Sequence, residues 1–339
     1  MSTDLFLDRY LPLIEAGLRD AIGSQEALPG YYGMMQYHMG WLDEFLNPAQ
    51  APTGKRLRPV LCLLACEAVG GQIERALDAA VAIELVHNFS LIHDDIEDVS
   101  ETRRHRTTVW KLWGLDHGVN CGDGMFALAF LQLSGLQDRG VPAELALCAQ
   151  RVLTETCLAL TEGQYLDMSF GTRMDVDLDS YLRMIRHKSA VLIACSTRLG
   201  ALLGGADAET ADWYARFGEN LGMAFQVVDD ILGIWGAEDE TGKSTSTDIL
   251  NRKKTLPIVY ALSNGELAAC LADAQETLTE GEVARVVSLL EQSGARAYAE
   301  RTARDYSERA LSCLEQAGED TVPRRAIREL SLALLGRTS

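Results

Sequence analysis

The chain has 339 residues, of which 47% are hydrophobic, and its formal net charge is −18. A chain of this length buries a substantial core, and so acidic a composition disfavours non-specific binding to nucleic acid. No apolar run reaches the roughly 20 residues that a transmembrane helix needs, and Asp4 and Asp8 are unlike the basic start of a signal peptide. We therefore expect a soluble, cytoplasmic protein.

Apolar residues recur at helical spacing along nearly the whole chain. Leu5, Leu11, Ile14 and Leu18 form such a stripe near the N-terminus. Further helices are predicted over 57–69, 76–93, 119–135, 143–166, 179–203, 209–234 and 253–263. Loops are predicted over 29–33, 47–54, 114–118, 171–179, 204–207 and 236–248, where Gly, Pro, Asn and Asp concentrate.

The fold class that follows is all-α. The segment 79–86 is apolar on nearly every side of its helix, which is typical of the interior of a bundle. Alternating, strand-like runs are essentially absent. We predict one domain over 1–339, with 265–339 as C-terminal helices packed on the bundle.

The eight cysteines indicate a reducing compartment. They form no CxxC pair, and most lie in apolar stretches, as Cys62 and Cys66 do. Thiols packed in a core are favoured over a disulfide framework.

Two acidic clusters carry most of the chemical information. Asp94, Asp95 and Asp98 form the first, and Asp229 and Asp230 form the second, each after an apolar segment. Carboxylates this close resist ionising together unless cations share them. On a helix Asp94 and Asp98 are one turn apart on one face.

Magnesium is the cation that these clusters favour. Mg²⁺ takes oxygen ligands, usually one or two carboxylates together with phosphate oxygens, and facing helices of a bundle commonly bring such carboxylates together. The alternative is a solvated acidic helix end. The apolar lead-in over 89–92 makes that alternative weaker here.

Basic residues surround the acidic clusters. Arg103 and Arg104 follow the first cluster, a patch over 54–59 opens a helix, and further lysines lie beside apolar segments at Lys188, Lys243, Lys253 and Lys254. Guanidinium and ammonium groups are natural partners of phosphate oxygens. Taken singly, each residue is better explained as a solvated surface charge. In a chain short of basic residues, their placement favours an enzyme that handles diphosphates with Mg²⁺.

An ordered set of motifs resembles the trans-isoprenyl diphosphate synthase family. The first acidic cluster with Arg103-Arg104 matches DDxxD and its trailing arginines, and Gly54 to Pro59 matches GKxxRP. Further similarity lies at 84–87, 122–123, 162–167, 188–189, 225–230, 242–243 and 248–257. The resemblance implies an isoprenoid-synthase bundle of antiparallel helices around a central cavity, with a catalytic core over about 54–260.

The family resemblance implies a role for each matching residue. The diphosphate of isopentenyl diphosphate would be held by Lys55, Arg58, His87 and Arg104. Three Mg²⁺ ions on the allylic diphosphate would be bound by Asp94, Asp98 and Asp229, supported by Asp95 and Asp230. The same diphosphate would be neutralised by Arg103, Lys188, Lys243 and Lys253. Ser189 and Gln226 would stabilise positive charge near the reacting carbons.

Three positions depart from the family pattern. Gly233 stands where the second DDxxD has its third aspartate, and Ser189 replaces the more usual threonine. The sequence from Arg103 to Thr108 stands where the family has RRGxPT, so this loop lacks a glycine and a proline. We expect retained activity with some change in the third metal site.

Product length is expected to depend on the helix before Asp94. Phe89 lies about 7.5 Å and Val86 about 12 Å before Asp94 along a helix axis, and Ser90 is small. An aromatic at position 89 with an uninterrupted DDxxD resembles makers of geranylgeranyl diphosphate, and farnesyl diphosphate is the second expectation. Ordinary core packing is the alternative interpretation of Phe89.

Other interpretations remain open at the level of sequence. The aromatic and methionine-rich stretch 31–41 fits core or dimer-interface packing better than a ligand site, and the family resemblance implies a homodimer. A class I terpene cyclase shares the fold and metal chemistry but needs no isopentenyl site, so Lys55, Arg58 and His87 argue against it. A catalytically silent partner subunit is the other rival.

Overall fold

The computed structural model describes residues 3–23, 28–171, 173–236, 247–250, 253–262, 265–273 and 278–336. Within these residues the predicted all-α class is confirmed, and strand is confined to a two-residue pair and an isolated bridge between Leu42 and Pro48. In the described part of the chain, no helix has the length and apolarity to span a membrane.

The described residues up to Gly171 contain seven α-helices and one hairpin. They are α1 (Thr3–Ile22), α2 (Pro29–His38), α3 (Leu57–Ala68), α4 (Leu77–Glu97), β1 (Thr102–Arg103), β2 (Arg106–Thr107), α5 (Val109–Trp113), α6 (Leu115–Ser134) and α7 (Ala143–Phe170). Short 3-10 turns lie at Ile73–Arg75 and Gly135–Gln137.

Helices also fill the described part of the remaining chain. They are α8 (Leu178–Ile185), a π-helical segment (Arg186–Ala190), α9 (Val191–Gly204), α10 (Ala208–Trp235), α11 (Thr247–Leu250), α12 (Leu256–Ala261), α13 (Gly265–Asp273), α14 (Glu280–Gln292), α15 (Ala295–Gln316) and α16 (Val322–Leu335). The predicted helices over 57–69, 76–93, 143–166 and 209–234 agree closely with α3, α4, α7 and α10.

Two predicted loops are wrong. The segment 29–33 begins helix α2, because proline fits the first turn of a helix, where its missing N–H would have no partner. The segment 114–118 lies mostly inside α6, which starts at Leu115. Gly118 is used there for close packing, since an added Cβ would lie 2.9 Å from the Cβ of Trp110.

The N-terminal helix is confirmed, but its buried stripe is shifted from the predicted one. Ile14 and Leu18 are fully buried as expected, whereas Leu5 is 47% exposed. Phe6 and Tyr10 are buried instead, because a four-residue step keeps side chains on one helical face.

The chain folds into two compact units, each built from more than one segment. Unit 1 comprises 1–154, 195–211 and 321–327, and unit 2 comprises 155–194, 212–320 and 328–339. In unit 1, α4 packs against α1, α3 and α6, and Ala79 to Ile83 are fully buried. In unit 2, α12 packs against α8 and α15, and α13, α14 and α15 form successive packed pairs. The single domain over 1–339 stays a prediction.

The described residues include all eight cysteines, and each is a free thiol. Cys62, Cys66, Cys121, Cys157 and Cys195 are buried. The expected core thiols are therefore found at these five positions.

Candidate active site

The first acidic cluster lies at the C-terminal end of α4. The helix runs to Glu97, and Asp98 is its C-cap residue. Asp94 is half-buried and Asp98 is exposed, whereas Asp95 is only 3% exposed. The carbonyl end of a helix carries partial negative charge, so carboxylates here repel the helix as well as one another. A bound cation would relieve both repulsions.

Arg103 of strand β1 joins two of these carboxylates. Its Nε donates to Asp95 Oδ1 at 2.8 Å, and its Nη2 donates to Asp94 Oδ2 at 3.2 Å. Burial raises the pKa of Asp95 to about 6, although Arg103 acts in the opposite direction. Arg103 therefore lies beside the acidic cluster, and its contact with the allylic diphosphate stays a prediction.

The donor set fits Mg²⁺ that arrives with a diphosphate. In the described ranges, no group of three or more His, Cys, Asp or Glu side chains is preassembled to hold a metal ion. Mg²⁺ commonly takes one or two protein carboxylates and completes its shell with water and phosphate oxygens. Asp94 and Asp98 can supply those carboxylates, so a complete protein cage is unnecessary.

Arg58 of α3 and His87 of α4 meet in unit 1. Arg58 Nη1 lies 3.2 Å from His87 Nε2. Because a guanidinium only donates hydrogen bonds, Nε2 accepts and the proton of the neutral ring is on Nδ1. Burial and the neighbouring Arg58, Arg104 and Arg103 lower the pKa of His87 well below its usual value. The predicted isopentenyl-site pair is thus in direct contact.

Gly54 gives Arg104 room at the same site. A Cβ at Gly54 would lie 2.8 Å from Arg104 Nη2, so a larger residue would press against the guanidinium. Lys55 beside it is exposed. The glycine of the predicted phosphate patch is therefore a close-approach position.

Arg56 has a different place from the other basic residues of the patch. It is 5% exposed, and its Nη1 donates to Glu84 at 2.9 Å. Sequence reasoning missed this buried ion pair. The signal was Glu84, a charge in an otherwise apolar buried run, because a charge in such a place needs a partner.

Unit 2 contains a second polar cluster around Asp230. Ser189 Oγ donates to Gln226 Oε1 at 2.6 Å, and Gln226 Nε2 donates to Asp230 Oδ1 at 3.0 Å. Asp230 Oδ2 accepts hydrogen bonds from the Tyr181 hydroxyl and, at 2.8 Å, from the backbone N–H of Leu256. Tyr181 was not among the predicted site residues, and a tyrosine in an amphipathic helix gives no sequence signal of this contact.

The two aspartates of the second motif have different environments. Asp229 is exposed, whereas Asp230 is 4% exposed and both its oxygens accept hydrogen bonds from the protein. Burial raises the pKa of Asp230 to about 7, while its hydrogen bonds act in the opposite direction. Asp229 therefore has the accessibility that a direct metal ligand needs, and the metal role of Asp230 stays a prediction.

Gly233 has an acidic neighbour in unit 2. A Cβ at Gly233 would lie 1.9 Å from Asp248 Oδ2. The carboxylate of Asp248 thus occupies space that a side chain at position 233 would need. The departure from DDxxD at this position is coupled to the placement of Asp248.

Lys188 and Ser189 lie in the π-helical segment between α8 and α9. Lys188 Nζ donates to Asp167 Oδ2, and an added Cβ at Gly163 would lie 2.3 Å from Lys188 N. A π-helical segment shifts the angular position of consecutive side chains and is often found at functional sites. Exposed Lys253 is also described, and Lys243 lies outside the described residues.

An aromatic row extends from Phe89. Its ring lies edge-to-face with Phe126 at a centroid distance of 5.0 Å, and Phe126 meets Phe130 at 4.9 Å. Phe89 is 8% exposed, and Val86 one turn earlier is fully buried. Sequence reasoning missed Phe126 and Phe130, which α6 brings to α4.

The chain is similar to known proteins over most of its length. A model of the family described as polyprenyl synthetase matches residues 39–290. The (2E,6E)-farnesyl diphosphate synthase of Mycobacterium tuberculosis is 39% identical over 311 residues, covering 90% of this chain and 85% of the relative. The geranylgeranyl diphosphate synthase of the same organism is 40% identical over 288 residues, covering 84% and 81%.

Solved structures give the same result. The polyprenyl synthetase of Streptomyces coelicolor A3(2) has a TM-score of 0.91 at 39% identity, covering 98% of this chain and 100% of that one. The geranylgeranyl pyrophosphate synthetase of Pyrococcus horikoshii has a TM-score of 0.88 at 29% identity, covering 98% of each chain.

Fold and site together define an all-α enzyme of the trans-prenyltransferase class. The chain belongs to the polyprenyl synthetase family.

Proposed function

We propose that the protein condenses isopentenyl diphosphate head-to-tail with an allylic diphosphate, which is dimethylallyl, geranyl or farnesyl diphosphate. The observation that carries this proposal is the arrangement in unit 1. Asp94 and Asp98 end α4 beside Arg103, and the same unit pairs Arg58 with His87. The carboxylates beside Arg103 can serve a metal-bound diphosphate, and the pair of Arg58 and His87 can serve a second diphosphate.

Departure of the allylic diphosphate would depend on neutralising its negative charge. Bound Mg²⁺, for which we propose three ions, would neutralise the allylic diphosphate as it leaves. Asp94, Asp98 and Asp229 would hold the ions, and Asp95 would stay beside Arg103. Arg103, Lys188, Lys243 and Lys253 would neutralise the negative charge that grows on the leaving group.

Binding of isopentenyl diphosphate would need cationic side chains of fixed orientation. Arg58, Arg104 and Lys55 would hold the second diphosphate, with His87 accepting a hydrogen bond from Arg58. The contact between Arg58 and His87 supports this proposal, because it fixes one guanidinium before substrate binds. Preorganised donors lose less entropy on binding.

Positive charge on the allylic carbons would be stabilised in unit 2. The Ser189 hydroxyl proton is directed to Gln226, so the remaining lone pairs of Ser189 Oγ are available to a carbocation. The double bond of isopentenyl diphosphate would attack the cation, and a proton would then be lost to the departed diphosphate. Apolar walls would exclude water from the cation.

Geranylgeranyl diphosphate is the proposed product. Phe89 and Val86 are both buried in α4, with small Ser90 beside Phe89, and the growing chain would end at Phe89. Farnesyl diphosphate is the second candidate, because Phe126 packs against Phe89 and adds a second aromatic to the proposed floor. Relatives with 39% and 40% identity carry these two product names.

Sizing of labelled products tests this function. The purified protein with Mg²⁺, labelled isopentenyl diphosphate and each allylic primer should yield prenyl diphosphates, predominantly of 20 carbons. Cyclic hydrocarbon from the primer alone would identify a class I terpene cyclase, and no turnover would favour a silent partner subunit.

Replacing Phe89 tests the product floor. Phe89→Ala should lengthen the product by one or more isoprene units, because it removes the ring that contacts Phe126. Phe45→Ala is the matched control, since Phe45 is 78% exposed. Unchanged product length in Phe89→Ala would show that Phe89 does not limit growth.

A cytoplasmic homodimer without nucleic-acid partners is the proposed assembly. Exposed apolar side chains on one side of α6 support it, because Leu115, Val119 and Phe126 are 55%, 41% and 37% exposed in this chain. Apolar residues along one helix face are typical of protein interfaces. Sedimentation at micromolar concentration measures the mass directly.

A further inference from the structure

The hairpin after α4 has an unusual turn. Thr102 pairs with Thr107 and Arg103 pairs with Arg106, leaving Arg104 and His105 as a two-residue turn. Both have positive φ, 52° for Arg104 and 63° for His105. Such turns favour Gly, Asn or Asp, and a non-glycine residue held in this region is strained.

Repulsion between paired side chains also destabilises the hairpin. Arg103 and Arg106 are directly opposite in the antiparallel pair, where like charges destabilise the pairing. Arg103 is compensated by Asp94 and Asp95. Partners for the Arg106 guanidinium would therefore stabilise the hairpin.

Arg106 is held by main-chain oxygens and an aromatic ring. Its Nη1 donates to Tyr37 O at 2.8 Å and its Nη2 donates to Leu42 O at 2.6 Å. Its guanidinium lies 3.9 Å from the centroid of the Tyr37 ring. The Tyr37 hydroxyl in turn donates to Thr107 O at 2.7 Å. Together these interactions join β2 to the end of α2 and the segment after it.

The contact of β2 with Tyr37 and Leu42 borders the predicted diphosphate site. Tyr37, Asp95, Arg103, Arg104 and Arg106 all line one small cavity of about 20 Å³ in unit 1, a space for about one water molecule. A hairpin that moved away from Tyr37 would carry Arg103 from Asp94 and Arg104 from its place beside Gly54.

We propose that Arg106 is a positioning residue, which clamps a strained Arg104-His105 turn to Tyr37 and Leu42 and so holds Arg103 and Arg104 in place for diphosphate binding. It touches neither substrate nor metal in this role. The inference rests on the proposed function for its kinetic readout, but the clamp itself is a property of the structure.

Kinetics of single and double variants test the clamp. Arg106→Ala should raise KM for isopentenyl diphosphate roughly tenfold, the size of one charge-assisted hydrogen bond, because Arg104 loses its fixed position. His105→Gly alone should leave KM within about twofold, since glycine adopts positive φ without strain. In the Arg106→Ala background, His105→Gly should recover most of the lost affinity, because it favours the native turn.

Conservative and control variants separate positioning from general stability. Arg106→Lys should behave like Arg106→Ala, because lysine lacks the planar fork whose two nitrogens reach Tyr37 O and Leu42 O separately. Arg301→Ala is the matched control, since Arg301 is exposed on α15. Should Arg106→Ala fail to fold, Tyr37→Phe removes the bond to Thr107 and keeps the ring, and the same rescue by His105→Gly is expected.

Hydrogen exchange of the peptide over 100–110 gives a readout without turnover. Exchange should be faster in Arg106→Ala and return towards wild type when His105→Gly is added. Unchanged KM and unchanged exchange in Arg106→Ala would overturn the proposal, and so would the absence of rescue by glycine. Loss of turnover in the wild type, with the exchange pattern intact, would overturn the proposed function alone.

Discussion

At the scale of residues, burial separates chemically identical side chains into different roles. Asp229 and Asp230 are neighbours in sequence, yet one is exposed and the other accepts hydrogen bonds from Tyr181, Gln226 and Leu256. The pKa of Tyr181 is held well above its usual value by burial and by Asp230, so its hydroxyl stays protonated and donates. Asp230 is therefore oriented to accept from the Gln226 amide.

Removing the Tyr181 hydroxyl tests this orientation. Tyr181→Phe should lower kcat by roughly tenfold with little change in KM, because about one hydrogen bond that directs Gln226 and Ser189 through Asp230 is lost. Tyr298→Phe in the same unit is the control and should leave kcat unchanged. Equal kcat in Tyr181→Phe and the wild type would mean that Tyr181 only fills space.

The buried ring of His38 should make the free energy of unfolding depend on pH. Burial of its ring, with Arg103 and Arg104 nearby, lowers the pKa of His38 to about 3. The unfolded chain binds the proton below about pH 6.5 and the folded chain does not, so stability is lost as pH falls from about 6.5 towards 3. The loss from this group is at most about 1.4 kcal/mol per pH unit.

Unfolding midpoints in urea at pH 7 and pH 5 measure this effect. The wild type should lose more stability on acidification than His38→Gln. The exposed His117 provides the control, and His117→Gln should keep the slope of the wild type. Identical slopes in all three proteins would contradict a neutral His38.

At the scale of elements, α10 has Gly233 where the family pattern has a third aspartate, and the carboxylate of Asp248 in α11 lies at this position. Gly233 of α10 leaves space that Asp248 Oδ2 of α11 occupies. Gly233→Asp, which restores the DDxxD pattern, should therefore lower both kcat and Tm, because two carboxylates compete for one space and repel each other.

A second substitution and a control define this prediction. Adding Asp248→Ala to Gly233→Asp should recover Tm by removing the clash. Gly281→Asp is the control, because a Cβ at Gly281 meets no atom within 4 Å. A higher kcat in Gly233→Asp at unchanged Tm would show that Asp248 moves aside freely.

At the scale of the whole molecule, a ligand that binds the folded protein and not the unfolded chain raises the stability of the whole fold. Mg²⁺ with inorganic pyrophosphate should raise Tm by a few degrees, since a ligand at 100 times its Kd stabilises by about 2.7 kcal/mol. Mg²⁺ alone should have a smaller effect, because the described carboxylates do not form a complete cage. Thermal unfolding with and without EDTA measures both.

Variants that each remove one carboxylate charge test whether the rise in Tm depends on the first acidic cluster. Asp94→Asn should abolish the shift with pyrophosphate, whereas Asp305→Asn, exposed on α15, should retain it. A shift of equal size in Asp94→Asn would place the ion elsewhere.

The fold class and the chemistry could be predicted from the sequence, because both depend on short-range patterns. A long apolar run identifies α4 as a buried helix, and the helical period brings Asp94 and Asp98 to one face. The order of motifs over about 54–260 indicated the family that the comparison then established. Helix starts were less certain, since Pro29 suits a loop and the first turn of a helix equally well.

Long-range placement could not be predicted in this way. The GKxxRP match assigned Arg58 to a diphosphate, but sequence alone does not show that Arg56 is buried against Glu84 or that Arg58 meets His87. Nor does it reveal that Arg106 clamps a turn with two positive φ angles. Local spacing determined which residues share a helix face, whereas burial, pKa values and backbone strain depend on partners distant in sequence, so only the tertiary structure decided them.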